Sequence, residues 1–198
     1  MTQRDPVDPS CSMSFQPVHA GFCNALGSVI AQPVIVIGVV MATMLIETWV
    51  SRRHERRLRA RGAVEPPGDV YAVMAVVYPG CFLVMAAEGA LTGPPSALAH
   101  LAGGVVFVGA KALKWWAMAS LGVRWSFRVL VLPSLPLLRR GPYAFLRHPN
   151  YLAVVGELIG VALLLCAPVS GPLAVLAFAA LLWRRIRVEE RTLSIGRG

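Results

Sequence analysis

The chain has 198 residues, 56% of them hydrophobic and 15% charged, and a formal net charge of +9, with a mean hydropathy of +0.62. Such values are unlike a soluble domain and point to a single-domain, all-α, polytopic integral membrane protein. The charge does not read as a nucleic-acid surface, because the arginines cluster beside apolar runs and no basic stripe interleaved with aromatics lies on a soluble face; anionic lipid headgroups are the expected partner.

In chain order, residues 1–24 are polar and rich in Pro and Ser, lack the basic start and small-residue cleavage site of a secretory signal, and are expected to be loosely ordered. The remainder, 25–198, reads as one domain. Apolar runs follow at 25–50, 70–91 and 97–121, each long enough to cross a hydrocarbon core that needs about 20 helical residues. Two shorter runs, 151–167 and 172–183, flank Pro168, Gly171 and Pro172. They read as a helical hairpin whose second arm continues through Arg187 and Glu190, giving about five transmembrane helices in all. The first connection carries Arg52, Arg53, Arg56, Arg57, Arg59 and Arg61, which marks the cytoplasmic side. Threading from there places the N-terminus outside and the C-terminus inside. Arg124, Arg128, Arg139, Arg140, Arg147, Arg184, Arg185 and Arg187 then fall inside too, and the outer loops hold no basic residue. All five tryptophans, Trp49, Trp115, Trp116, Trp125 and Trp183, fall at cytoplasmic ends, as an interfacial girdle would, with core packing the alternative for each. Val64-Glu65-Pro66-Pro67-Gly68 is a bend before the second span. The four cysteines show no Cys-x-x-Cys pair, so no metal site is expected.

Chemistry concentrates in Gly141-Pro142-Tyr143-Ala144-Phe145-Leu146-Arg147-His148-Pro149-Asn150-Tyr151. Gly141-Pro142 and His148-Pro149 are turn signals, and proline suits a first helical turn, so this loop ends at the start of the fourth helix. A helix start presents unpaired N–H groups and a partial positive charge to an anion; Arg147 and His148 add donors there, while Tyr143 and Tyr151 offer flat faces and hydroxyls. Past the hairpin, Arg187, Glu190 and Arg191 share a helix face, and Glu189 is spaced to pair with Arg185. A solvated charged helix end is the plain alternative. No Gly-rich strand-to-helix turn, nucleophile elbow, zinc helix or phosphate loop is present, so any nucleotide is held by an unusual cradle. Lys111 and Lys114 beside Trp115 and Trp116 read as snorkelling residues, and Glu88 and His100 as packing residues far from this loop.

The order Gly-Pro-Tyr, Arg-His-Pro-x-Tyr, then Arg187-Val188-Glu189-Glu190 resembles the isoprenylcysteine carboxyl methyltransferase family and its bacterial relatives, over residues 125–193. Phospholipid methyltransferases share the pattern more loosely, and NADPH-dependent sterol and enone reductases also carry Arg-His-Pro-x-Tyr. The resemblance implies a methyl transfer from S-adenosyl-L-methionine in the plasma membrane of a bacterium, onto a lipophilic or lipidated acceptor reached from the bilayer. Tyr143, Arg147, His148, Pro149, Tyr151, Glu189 and Glu190 would bind the cofactor. Ala153 stands where many relatives have Gly, and Asn150 with Glu157 looks more like members associated with alkylpyrone or alkylresorcinol O-methylation, which unsettles a prenylcysteine substrate. For a carboxylate acceptor Arg187 would be the positioning cation; for a phenol or enol, Glu157 would be the base, with a structural ion pair to Lys114 or a final-helix arginine as its alternative. A membrane scaffold holding anionic lipid is the non-enzymatic reading.

Overall fold

A computed structural model describes the backbone of residues 18–65, 67–130 and 140–195, and side chains over 31–65, 67–130 and 140–188. The disorder expected of residues 1–24 falls mostly outside this range; helix is already formed at Val18. The described residues form helices and turns with no β-strand: α1 (Val18–Arg59), α2 (Tyr71–Thr92), α3 (Ala97–Leu121), α4 (Pro149–Leu164) and α5 (Ser170–Ile195), with short 3-10 turns at Gly122–Arg124 and Gly141–Ala144. Three stretches, Ala31–Arg59, Tyr71–Thr92 and Ala97–Arg124, are long and apolar enough to cross a membrane, so this is a membrane protein. At 16 residues α4 is shorter, and α5 passes from apolar to charged along its length.

The helix ends follow local chemistry. Ser96 accepts from Ala99 N at 3.2 Å and starts α3, while Gly93 and Gly122, both at positive φ, close α2 and α3. Pro149 opens α4 where its missing N–H costs nothing. The start of α5 is capped from another helix: Glu88 of α2 accepts from Val169 N (3.0 Å), Ser170 N (2.7 Å) and the Ser170 hydroxyl. Glu88 is therefore a cap, and His100 sits 3.2 Å from Gln32 Nε2.

The tightest contact runs between α3 and α4 and is made by small residues one helical turn apart. A Cβ on Gly160 would stand 2.7 Å from Phe107 N, and one on Gly103 2.8 Å from Gly160 O, so the two backbones touch where side chains would ordinarily hold them apart. Around this pair, Val40 of α1, Phe82 and Met85 of α2, Leu158 and Val161 of α4 and Phe178 of α5 form the buried core. Outward-facing Leu45, Val76, Leu91, Leu101, Val105 and Leu176 are exposed, the inverse of a soluble protein and suited to lipid.

Four of the tryptophans are exposed, but Trp125 is 2% exposed and packs on Phe127, ring centroids 5.0 Å apart. It belongs to the interior and not to a girdle, because the chain folds back under α1 there.

Candidate functional site

Where the ends of α1, α3 and α5 meet the starts of α2 and α4, a cavity of about 460 Å³ opens, within the range of small-molecule sites. Its walls come from distant parts of the chain.

One wall is the motif loop. Gly141, at φ +57°, lets the chain enter the turn, and a Cβ there would collide with Ser120 Oγ at 2.0 Å. Tyr143, Arg147, His148, Asn150 and Tyr151 all line the cavity, with Arg147 exposed and the others half-buried. The His148 and Tyr151 rings stack at 5.2 Å and 11°. Pro149 is buried as the first residue of α4 and does not line the cavity. Asn150 Oδ1 is buried and, among the described residues, accepts no hydrogen bond.

The second wall is residues 125–130, pinned on several sides. His54 Nδ1–H donates to Trp125 O at 2.8 Å, Phe127 N donates to Ser51 Oγ at 2.8 Å, and Val129 N donates to Asp69 Oδ2 at 3.3 Å. Arg128 stacks on Tyr71 at 4.8 Å and donates to Glu65 at 2.7 Å, with Glu55 3.6 Å away. Burial pushes the Glu65 carboxyl up, but hydrogen bonds from Arg128 and Arg59 outweigh it and hold the group below the ordinary carboxylate value. The same bond to Glu65 holds Arg128 above the usual guanidinium value.

Arg185 of α5 closes the gap between these walls. It is 7% exposed, donates from Nε to the Tyr151 hydroxyl at 3.0 Å and from Nη2 to Phe127 O, and approaches Met74 Sδ at 3.8 Å. Among the described residues it meets no carboxylate, so no described counter-charge faces this buried guanidinium at the cavity, a costly arrangement that an anion would relieve.

Deeper in, four charges form a closed square. Lys111 Nζ lies 2.8 Å from Glu47 Oε1 and 2.9 Å from Glu157 Oε2; Lys114 Nζ lies 2.7 Å from Glu47 Oε2 and 3.0 Å from Glu157 Oε1. Tyr78 donates to Glu157 Oε2 at 2.7 Å. Glu47, Lys114 and Tyr78 line the cavity; Glu157, wholly buried, lies behind them. The glycine contact between α3 and α4 creates this square, since it brings Glu157, next to Gly156, within reach of the lysines of α3.

The sequence-derived candidates thus divide. Tyr143, Arg147, His148 and Tyr151 come together on one cavity. Glu157 lies behind the lining, held in ion pairs with Lys111 and Lys114 because α3 and α4 approach so closely. The snorkelling expected of Lys111 and Lys114 is overturned: at 7% and 1% exposure they point inward to carboxylates. Arg187 is exposed and lies over the Trp183 ring at 4.1 Å, outside the cavity lining. Glu189 and Glu190 belong to α5, but their side chains lie outside the described residues. Glu47, Tyr78, Asn150 and Arg185 went unassigned as site residues from sequence. Arg185 was signalled by the stripe Ala174, Phe178, Leu182, Arg185 at helical spacing, and the lysines by sharing the stripe of Gly103, Ala110 and Ala117. No group of His, Cys, Asp and Glu among the described residues is arranged to hold a metal ion.

Comparison with known proteins agrees with the motif. The profile of the isoprenylcysteine carboxyl methyltransferase (ICMT) family matches residues 102–195. The uncharacterized protein YpbQ of Bacillus subtilis is 30% identical over 159 residues, covering 80% of this chain and 95% of that protein. An uncharacterized protein of Haemophilus influenzae is 23% identical over 161 residues, covering 81% and 94%. No solved structure gives a significant match. The chain belongs to the isoprenylcysteine carboxyl methyltransferase family, whose members are membrane methyltransferases.

Proposed function

We propose that this protein transfers a methyl group from S-adenosyl-L-methionine to an oxygen of a lipophilic acceptor, in a chamber at the cytoplasmic face of a bacterial plasma membrane. The observation that carries the reading is Arg185: a buried guanidinium without a described carboxylate partner, on a cavity whose other wall is Tyr143, Arg147, His148 and Tyr151. That donor set fits the cofactor. Arg185 and Arg147 suit its carboxylate, the stacked His148 and Tyr151 with Tyr143 suit a purine, and Asn150 Oδ1 is a buried acceptor awaiting a donor. Glu189 and Glu190, a turn beyond Arg185 on α5, are proposed for its ammonium group.

When bound, the cofactor supplies an electrophilic methyl carbon. The protein's part is alignment and exclusion of water, and alignment alone is worth up to about 7 to 11 kcal/mol in favourable intramolecular models. Met44, Met74, Pro79, Phe178 and Leu182 give the cavity an apolar wall for a hydrocarbon tail. Thermal-shift titration of the purified protein with S-adenosylmethionine and, separately, NADPH tests the reading. A ligand that binds only the folded state stabilises it, by about 2.7 kcal/mol at a hundred times its Kd. Stabilisation by S-adenosylmethionine, lost in Arg185→Ala and His148→Ala, is expected. Stabilisation by NADPH alone would overturn it in favour of a reductase.

A further inference from the structure

We infer that the tip of the motif loop is a membrane seat, with Phe145 and Leu146 in the interface of the leaflet at this end of the bundle and Arg140 on its anionic headgroups, and that the seat sets cofactor affinity. The coupling to cofactor rests on the methyl-transfer reading above; the seat itself does not. Four successive residues, Ala144, Phe145, Leu146 and Arg147, are exposed, while Pro142 before them and Pro149 after them are buried. Phe145 is 85% exposed, and it stands in a turn, not on the outer face of a spanning helix. Neither Phe145 nor Leu146 lines the cavity. The turn holds them outward: Tyr143 N donates to Arg140 O at 3.2 Å, and Phe145 N and Leu146 N both donate to Pro142 O, at 3.2 and 2.9 Å. Apolar side chains fixed in this way mark a surface that something covers.

The level of the turn identifies the cover. A Cβ on Gly141 would lie 2.0 Å from Ser120 Oγ and 3.2 Å from Trp116 Nε1, so the turn packs on the last two turns of α3, beside the exposed Trp115 and Trp116. The charged end of α1 reaches the same level, where His54 bonds Trp125 O just past α3, and there Arg53 lies over the exposed Trp49 at 5.6 Å. Aromatic rings and arginines at the ends of spanning helices are the pattern of a membrane–water interface. Phe145 and Leu146 stand in that layer with exposed Arg140 and Arg147 on either side. A leaflet containing anionic lipid offers hydrocarbon to the first pair and phosphate to the arginines. A second copy, with the same net charge of +9, would set arginine against arginine.

The seat bears on the cofactor site through the chain itself. Arg147 and His148 follow Phe145 directly along the loop and line the cavity. The tip thus lies between an end anchored on α3 at Gly141 and an end that caps α4 at His148. Holding Phe145 in the interface removes loop conformers that carry Arg147 and His148 away from the cavity, so less ordering is left for the ligand to impose.

The test uses the full chain in nanodiscs of phosphatidylcholine, with or without phosphatidylglycerol. A bimane label is attached at Phe145→Cys or, as a control, at Arg61→Cys in the exposed turn after α1, with the four native cysteines replaced by alanine. The label at position 145 is expected to be quenched by nitroxides high on the lipid chains and shielded from iodide, and the label at position 61 the reverse. S-adenosylmethionine should bind unlabelled wild type about fivefold more tightly in discs with phosphatidylglycerol, the factor of one arginine near an anionic surface. Phe145→Ser should lose that gain while melting like wild type, and Arg140→Gln, also outside the cavity lining, should lose it too. A label at position 145 open to iodide in both kinds of disc overturns the seat, as does shielding that appears only when protein concentration is raised, the sign of a second copy. Inorganic phosphate that restores the gain in neutral discs means a free anion is recognised, and the inference fails. Equal affinity in the two kinds of disc, or a gain that survives both substitutions, overturns the coupling. Absence of S-adenosylmethionine binding throughout overturns methyl transfer and the coupling together, while the label still decides the seat.

Discussion

Glu157→Gln removes one corner of the buried square while keeping its shape. The glutamine can still accept from Tyr78, whose hydroxyl is 2.7 Å from Oε2, but Lys111 and Lys114 each lose an ion-pair partner at 2.9 and 3.0 Å and must share Glu47. Two ammonium groups of 7% and 1% exposure then carry one uncompensated charge where little water reaches. Breaking a buried pair in this way costs roughly 3 to 5 kcal/mol, mostly from the stranded partner. Lys111→Met added to Glu157→Gln restores neutrality and leaves one close pair, Glu47 with Lys114. The double variant is therefore expected to regain at least ~2 kcal/mol over Glu157→Gln alone, a coupling well outside additivity. Denaturant titration in mixed micelles, followed by helical circular dichroism, measures both. A Glu157→Gln cost below about 1 kcal/mol, or additive effects in the double variant, would refute the claim that the square is a dry, mutually compensating unit.

Gly160→Ala should destabilise by about 1 to 3 kcal/mol, because its Cβ meets the backbone N of Phe107 at 2.7 Å; Gly104→Ala, with nothing within 4 Å, should be neutral or slightly stabilising in the same thermal melt. Replacing Glu88 by Gln weakens the cap on α5 and should raise hydrogen exchange at the Val169 and Ser170 amides before it changes global unfolding. Glu65, held below the ordinary carboxylate value in the folded state, contributes stability that is complete above the unfolded value and is lost as pH falls through the folded one. The difference in Tm between wild type and Glu65→Gln should therefore persist near pH 7, shrink below about pH 4.5 and vanish in stronger acid. Since Glu65 is partly exposed, with a quarter of its side chain reachable, under ~1 kcal/mol is expected.

Much of this architecture could be read from residue order. Gly141-Pro142 and His148-Pro149 marked the loop, and three runs of sufficient length marked the spans, because turn chemistry and bilayer thickness act locally. The interior charges were harder. Lys111 and Lys114 resemble snorkelling residues beside two tryptophans, and only their place on the Gly103, Ala110 and Ala117 stripe distinguishes them. Arg185 and Arg187 differ by two positions, about 200° around a helix, which puts one among Phe178 and Leu182 and the other over Trp183. Following the apolar stripe Ala174, Phe178, Leu182 past the first charged residue, Arg184, reaches Arg185, so the inward-facing cation is legible at that spacing. Trp125 could not be placed from sequence, since its burial depends on His54 and Ser51, far away along the chain.

The family profile begins at residue 102, yet Ser51, His54 and Asp69, which tether the Trp125 to Val129 stretch, and Glu47, the acid facing the chamber, all precede it. The amino-terminal half is thus a structural partner of the recognised signature and not a mere membrane anchor. A fragment holding only residues 102–195 would keep the motif loop but lose Ser51, His54 and Asp69, and with them the tethers that hold the second wall of the cavity in place.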